Sequence, residues 1–189
     1  MTRTLVVLSL FAILATGCGD DDGGGGGGSG SKSEPAAKSE GSTAKGTGYT
    51  LQAPEGYRDL KDRFKDSAIK VDLAYADGDA SGFATNIVII REGAGGARLD
   101  DVMENFKGQA EAQADDAGVS EIEDRELDGE EAKTYSFQRR EASEGKVRQR
   151  QVVTVKDDAI YTITWSVAAD EFEAEEATLD AILDSWRWS

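Results

Sequence analysis

Few kinds of side chain in this sequence are able to do chemistry. Its 189 residues hold 37 Asp and Glu against 21 Lys and Arg, a formal charge of −16, with no histidine and one cysteine, Cys18. A Ser-His-Asp triad, a Cys-His nucleophile pair, a zinc site built on His or on several Cys, and any intramolecular disulfide are therefore excluded by inventory. Carboxylates, Lys, Arg, Tyr and hydroxyls remain. Three groupings of them have a spacing that bears on function.

The first is a run of bases: Arg139, Arg140, Lys146, Arg148 and Arg150 place five cations within twelve residues of an otherwise acidic stretch. Residues two apart on a strand share a face, so Arg148 and Arg150 point the same way. Such a patch can meet an anionic ligand, anionic headgroups or an acidic partner protein. Pairing with Glu141, Glu144 or neighbouring acids is the simpler structural account. The second grouping, Asp77, Asp79, Ser81 and Gly82, repeats the opening of a calcium loop, but its twelfth position is Val88 where a bidentate Glu should close the shell. A polar hairpin turn fits better and no cofactor is expected, with a weak calcium-binding lipoprotein as the alternative this loop leaves open. The third is Glu121, Glu123, Asp124, Glu126, Asp128, Glu130 and Glu131, seven carboxylates in eleven residues. It reads as a solvated strand and turn. A carboxylate-dependent hydrolase is the alternative it leaves open, since two acids at a fixed separation with one raised pKa would suffice. Gly93, Gly95 and Gly96 are too irregularly spaced for a phosphate loop.

The lone cysteine has its own context. Met1 to Cys18 reads as an export signal, with Arg3 as the basic start, Leu5 to Ala15 as an apolar core and Ala15-Thr16-Gly17 as a small-residue exit. The core is too short to span a bilayer. It resembles a bacterial lipoprotein signal in which Leu14-Ala15-Thr16-Gly17-Cys18 is the lipobox and cleavage falls between Gly17 and Cys18. Ala15 stands where such signals usually carry Leu. That resemblance implies a lipid on Cys18, anchoring the chain to the cell membrane on its extracytoplasmic face.

Residues 18–47 run from Cys18 into Gly-Asp-Asp-Asp and six consecutive glycines and carry no apolar period. They read as a disordered linker with a reach of roughly 30 Å. Residues 48–189 are then one globular domain, large enough for a core of its own. All but one unit of the net charge falls there. A surface of that sign repels nucleic acid.

Within the domain, Tyr49 to Gln52 forms a short strand halted at Pro54. The alternation Ile69, Val71, Leu73, Tyr75 predicts a half-buried strand that turns into a second, Phe83 to Ile90. Leu99, Val102, Met103, Phe106, Ala110 and Ala114 mark one face of a helix ending before Gly118. Val119 to Leu127 and Lys133 to Arg139 are strands around an Asp128-Gly129 turn. Val147, Val153 and Val155 mark the next, and Tyr161, Ile163, Trp165 and Val167 the last. Phe172, Leu179, Ile182, Leu183 and Trp186 stripe a closing helix. Trp165 and Trp186 are core anchors, and Trp188 is partly exposed over a sheet edge. The fold class is α+β, an antiparallel sheet of about six to seven strands flanked by helices.

Several of these short stretches have a familiar form. Tyr49-Thr50-Leu51 with Pro54-Glu55-Gly56, Thr85-Asn86-Ile87-Val88, Leu127 to Ala132, Tyr161-Thr162-Ile163-Thr164 and Leu179 to Ser185 together resemble the PsbP-like fold, and within it the DcrB and LpqN type of envelope lipoprotein. The resemblance implies an α/β/α sandwich and a role in binding or scaffolding at the cell envelope. It transfers no catalytic residue, because the shared positions are turns and core.

Overall fold

The computed structural model describes residues 40–80, 82–141 and 145–189. The export signal with Gly17 and Cys18, and Ser81 of the aspartate loop, lie outside them. Ten strands and two helices follow in the order β1 Glu40–Lys45, β2 Tyr49–Pro54, β3 Tyr57–Asp59, β4 Val71–Asp77, β5 Asn86–Gly93, α1 Leu99–Glu111, β6 Glu123–Leu127, β7 Glu130–Glu141, β8 Gly145–Lys156, β9 Ala159–Ala168, α2 Phe172–Asp184 and β10 Arg187–Trp188. A seven-stranded antiparallel sheet runs β3-β4-β5-β9-β8-β7-β6, and a small sheet runs β1-β2-β10. The fold is α+β, an antiparallel sheet flanked by helices, as expected.

The long hairpins follow from turn chemistry. Asp128-Gly129 joins β6 to β7 with φ of 47° and 85°, and Asp157-Asp158 joins β8 to β9 with φ of 50° and 57°. Two left-handed residues in a two-residue loop match the twist of the flanking strands. Strict alternation on β9 then divides the core in two. Tyr161, Ile163, Trp165 and Val167 face α2 and the small sheet, with Leu179, Ile182, Leu183 and Trp186. On the opposite face, Ile160 joins Val153, Tyr135 and Phe137 beneath Val102, Met103, Phe106 and Ala110 of α1. Each face thus has its own helix, and burying such apolar side chains contributes roughly 1.5–3 kcal/mol apiece.

Two expectations fail for identifiable reasons. The stretch 18–47 is not linker throughout, because Glu40–Lys45 adds to β2 as an edge strand and buries Ala44. Its backbone ladder, not apolar periodicity, holds it there. The alternation Ile69-Val71-Leu73-Tyr75 does not stay on one face either. A register shift between Val71 and Leu73 leaves Ile69 and Val71 with Val88 and Ile90, while Leu73 and Tyr75 join the α2 side. One extra residue in a bulge exchanges the two faces.

Candidate functional site: a basic strip on the β7–β8 hairpin

The β7–β8 register sets Arg140 opposite Lys146, Gln138 opposite Arg148 and Ser136 opposite Arg150. Opposed residues share a face, and faces alternate along each strand. Arg140, Lys146, Arg148 and Arg150 therefore project together on the α2 side of the sheet. Arg139 does not join them. It points to the α1 side, is 8 % exposed and closes a 2.7 Å ion pair with Glu141. Burial pushes its guanidinium pKa down and Glu141 works against that shift.

The four cations are held differently. The Arg150 guanidinium meets Glu176 of α2 at 2.6 Å and lies 5.4 Å from the Phe172 ring. The Arg148 guanidinium lies over the same ring at 4.1 Å and reaches the Ser136 hydroxyl at 3.4 Å. Arg140 and Lys146 are exposed. Among the described residues, no carboxylate comes within ion-pair distance of Arg140, Lys146 or Arg148; Glu144, one of the partners the sequence offers them, lies outside those residues. The nearest compensation is longer in range. Asp115 accepts from Gln138 Nε2 at 2.7 Å and from the Ala117 amide at 3.0 Å. Those two bonds, aided by the fields of Lys146 and Arg140, hold its carboxyl below the usual range. Like charges placed directly opposite on a ladder disfavour pairing. Sheet stability alone would not select Arg140 across from Lys146.

The aspartate loop is arranged as a turn. Asp77 Oδ1 accepts the Asp79 amide at 2.9 Å, and Asp79 lies 3.4 Å from the Arg58 guanidinium. Val88 is buried within β5. Among the described residues, no three His, Cys, Asp or Glu side chains are gathered so as to hold a metal ion.

The acidic run forms the charged edge strand β6 and its turn. Such charge guards an open edge against pairing with other chains. Lys133 collects Asp124 at 2.8 Å, Asp100 at 3.5 Å and Glu131 at 3.8 Å. The bond that Lys133 donates to Asp124 leads in raising its pKa. Lys133, Asp124 and Asp100 border a groove of about 540 Å³ between α1 and β6, lined also by Met103 and Ile122. Elsewhere Glu130 pairs with Lys156, and Asp128 accepts the Trp188 amide at 2.9 Å.

One cluster was not foreseen. Tyr49 stacks on Trp186 at 3.9 Å, with Tyr161 and Trp188 edge-on around them. Burial, with Asp72 adding to it, pushes the Tyr49 hydroxyl pKa far up. The cluster fastens the small sheet to β9. Its rings come from β2, β9 and the chain end, so no local spacing announces it. The nearest sequence signal is Gly46, where a Cβ would fall 2.1 Å from the Tyr49 ring.

Comparison with known proteins agrees with this architecture. The family described as PsbP-like protein matches residues 64–188. Among solved structures, cyanobacterial PsbP (CyanoP) from Synechocystis superposes with a TM-score of 0.56 at 18% identity, covering 75% of this chain and 87% of that one. LpqN, involved in cell envelope biogenesis of Mycobacterium tuberculosis, gives 0.55 at 16% identity over 73% and 81%. A protein of unknown function from Pseudomonas aeruginosa gives 0.50 at 16% identity over 74% and 90%. No curated protein matches the chain.

Proposed function

The chain belongs to the PsbP-like protein family, and we propose that it is a non-enzymatic binding or assembly module of the cell envelope, fastened outside the cytoplasmic membrane by a lipid on Cys18. One observation carries the binding role: Arg140, Lys146 and Arg148 stand side by side without carboxylate partners among the described residues, in a chain of net charge −16. Cations so placed repel one another until an anion arrives, so the strip is a recognition surface for an anionic partner. LpqN's part in cell envelope biogenesis supports the envelope setting. The short signal ending at Cys18 supports the anchor, and among the described residues no helix is long and apolar enough to cross a membrane. Of the acids lining the α1–β6 groove, Asp100 and Asp124 pair with Lys133, which disfavours those two as the separated acid and base of the hydrolase alternative.

The test has two arms. Metabolic labelling with a fatty acid and detergent partitioning should show lipid on the wild type and none on Cys18→Ser. Proximity labelling in cells should then recover a reproducible envelope neighbour that is lost from the Arg140→Glu/Lys146→Glu/Arg148→Glu variant. A soluble, unlabelled wild type overturns the anchor. Identical neighbours for wild type and variant overturn the strip.

A further inference from the structure

We propose that the ligand of the basic strip is the anionic phospholipid surface of the membrane in which the chain is anchored, so that the domain rests on its β7–β8 hairpin. This rests on the tethered reading above.

The shape of the strip favours a planar array over a small ligand. Its cations lie in a row along one hairpin, whereas the groove near Lys133 opens on the other face of the sheet. Phe172 backs the Arg148 guanidinium, and the edge donors not directed at the Ser136 hydroxyl remain available to a phosphate. Arg140 and Lys146 sit directly opposite each other, about 5 Å apart at Cβ, so anionic headgroups packed against the hairpin relieve their repulsion.

The attachment favours the same face. The chain enters the domain through β1 in the small sheet, which packs on the α2 side with Ala44, Tyr49 and Leu51 in that core. Glu40 lies 22 residues after Cys18, and a random coil of that length reaches roughly 25 Å, which would keep the strip at high local concentration near the headgroups. A weak contact then suffices. Each base at an anionic leaflet raises partitioning about fivefold, so three give on the order of a hundredfold. Exposed Glu173 and Asp184 on α2 oppose flat docking, while Asp180 is paired with Arg125 at 2.9 Å, and the domain therefore tilts onto the strip. The α1–β6 groove is then turned away from the bilayer.

The experiment uses the full lipidated chain on vesicles of phosphatidylcholine, with or without phosphatidylglycerol, and a headgroup-bound quencher. One fluorophore is placed through Asp170→Cys, beside the strip where the Ala169 amide bonds the Lys146 carbonyl at 3.0 Å. A second is placed through Glu104→Cys in the groove. Phosphatidylglycerol should quench the first and spare the second. The charge-reversed triple variant should abolish that quenching, and salt should weaken it as the Debye length shrinks. Equal quenching of the first probe on both vesicles, no effect of charge reversal, or full relief by inorganic phosphate at matched concentration would overturn the proposal. Co-flotation with neutral vesicles separates the two readings. A chain that fails to float lacks its anchor, whereas one that floats without probe-selective quenching has the anchor and not this contact.

Discussion

Arg140 and Lys146 oppose each other across an antiparallel ladder, so breaking the strip at this point should stabilise the fold. A directly opposed like-charge pair costs roughly 0.2–1 kcal/mol, and an opposite pair contributes a similar amount. Arg140→Glu exchanges one for the other, a swing of roughly 0.4–2 kcal/mol before screening. Both side chains are exposed, and a Debye length of about 8 Å at physiological salt favours the lower half, about 1 kcal/mol. For a domain near 150 residues that corresponds to a rise in Tm of about 3 °C. Lys146 is left in place and keeps its field on Asp115, whereas the field of Arg140 on Asp115 is lost and trims the gain. Urea unfolding followed by tryptophan fluorescence provides the assay, with Arg140→Gln as the neutral reference. Arg140→Glu/Lys146→Glu restores a like-charge pair and should lose the stabilisation. If Arg140→Glu is instead less stable than Arg140→Gln, the two cations belong to a compensated structural network and the case for an unsatisfied strip fails. A site that strengthens the fold when broken is a mark of function held against stability.

Other consequences concern the frame behind the strip. Trp186→Ala removes a fully buried ring stacked on Tyr49, so stability in urea should fall by about 3–5 kcal/mol. Gly46→Ala should cost roughly 1–3 kcal/mol by overpacking, since its Cβ would fall 2.1 Å from a Tyr49 ring carbon; calorimetry would register the lowered Tm. Burial raises the pKa of Glu92, so the folded state holds its proton more tightly than the unfolded state. The stability it contributes is complete below the unfolded carboxylate range and is lost as pH rises through the raised folded value. Glu92→Gln should accordingly be more stable than wild type near pH 7, with the difference vanishing toward about pH 4, as read from urea midpoints.

The parts of the fold legible in the sequence are those where local chemistry and burial agree. Tyr161 to Val167 alternate because one face of β9 meets α2, and Asp128-Gly129 adopts the turn its residue types favour. Arg148 and Arg150 share a face by the same period of two. That period also separates Arg139 from Arg140, a step that a count of neighbouring bases conceals. The rest depended on contacts distant in sequence. β1 is held by its ladder to β2, with Gly41 and Ser42 offering no apolar signal. The bulge beside Asp72 exchanges the faces of β4 because Ile69 and Val71 find Val88 and Ile90 beneath them. The small sheet exists because Trp188 pairs with Tyr49, which lies at the opposite end of the domain in sequence.

The strip as working surface is tested most directly by following backbone amide shifts of the isotopically labelled chain as anionic bicelles are added, with neutral bicelles as reference. Shifts should concentrate on residues 138–140, 146–150 and the first turn of α2, scale with the anionic fraction and collapse in salt. Shifts centred on α1 and β6 around Lys133, or shifts indifferent to bicelle charge, would contradict the account.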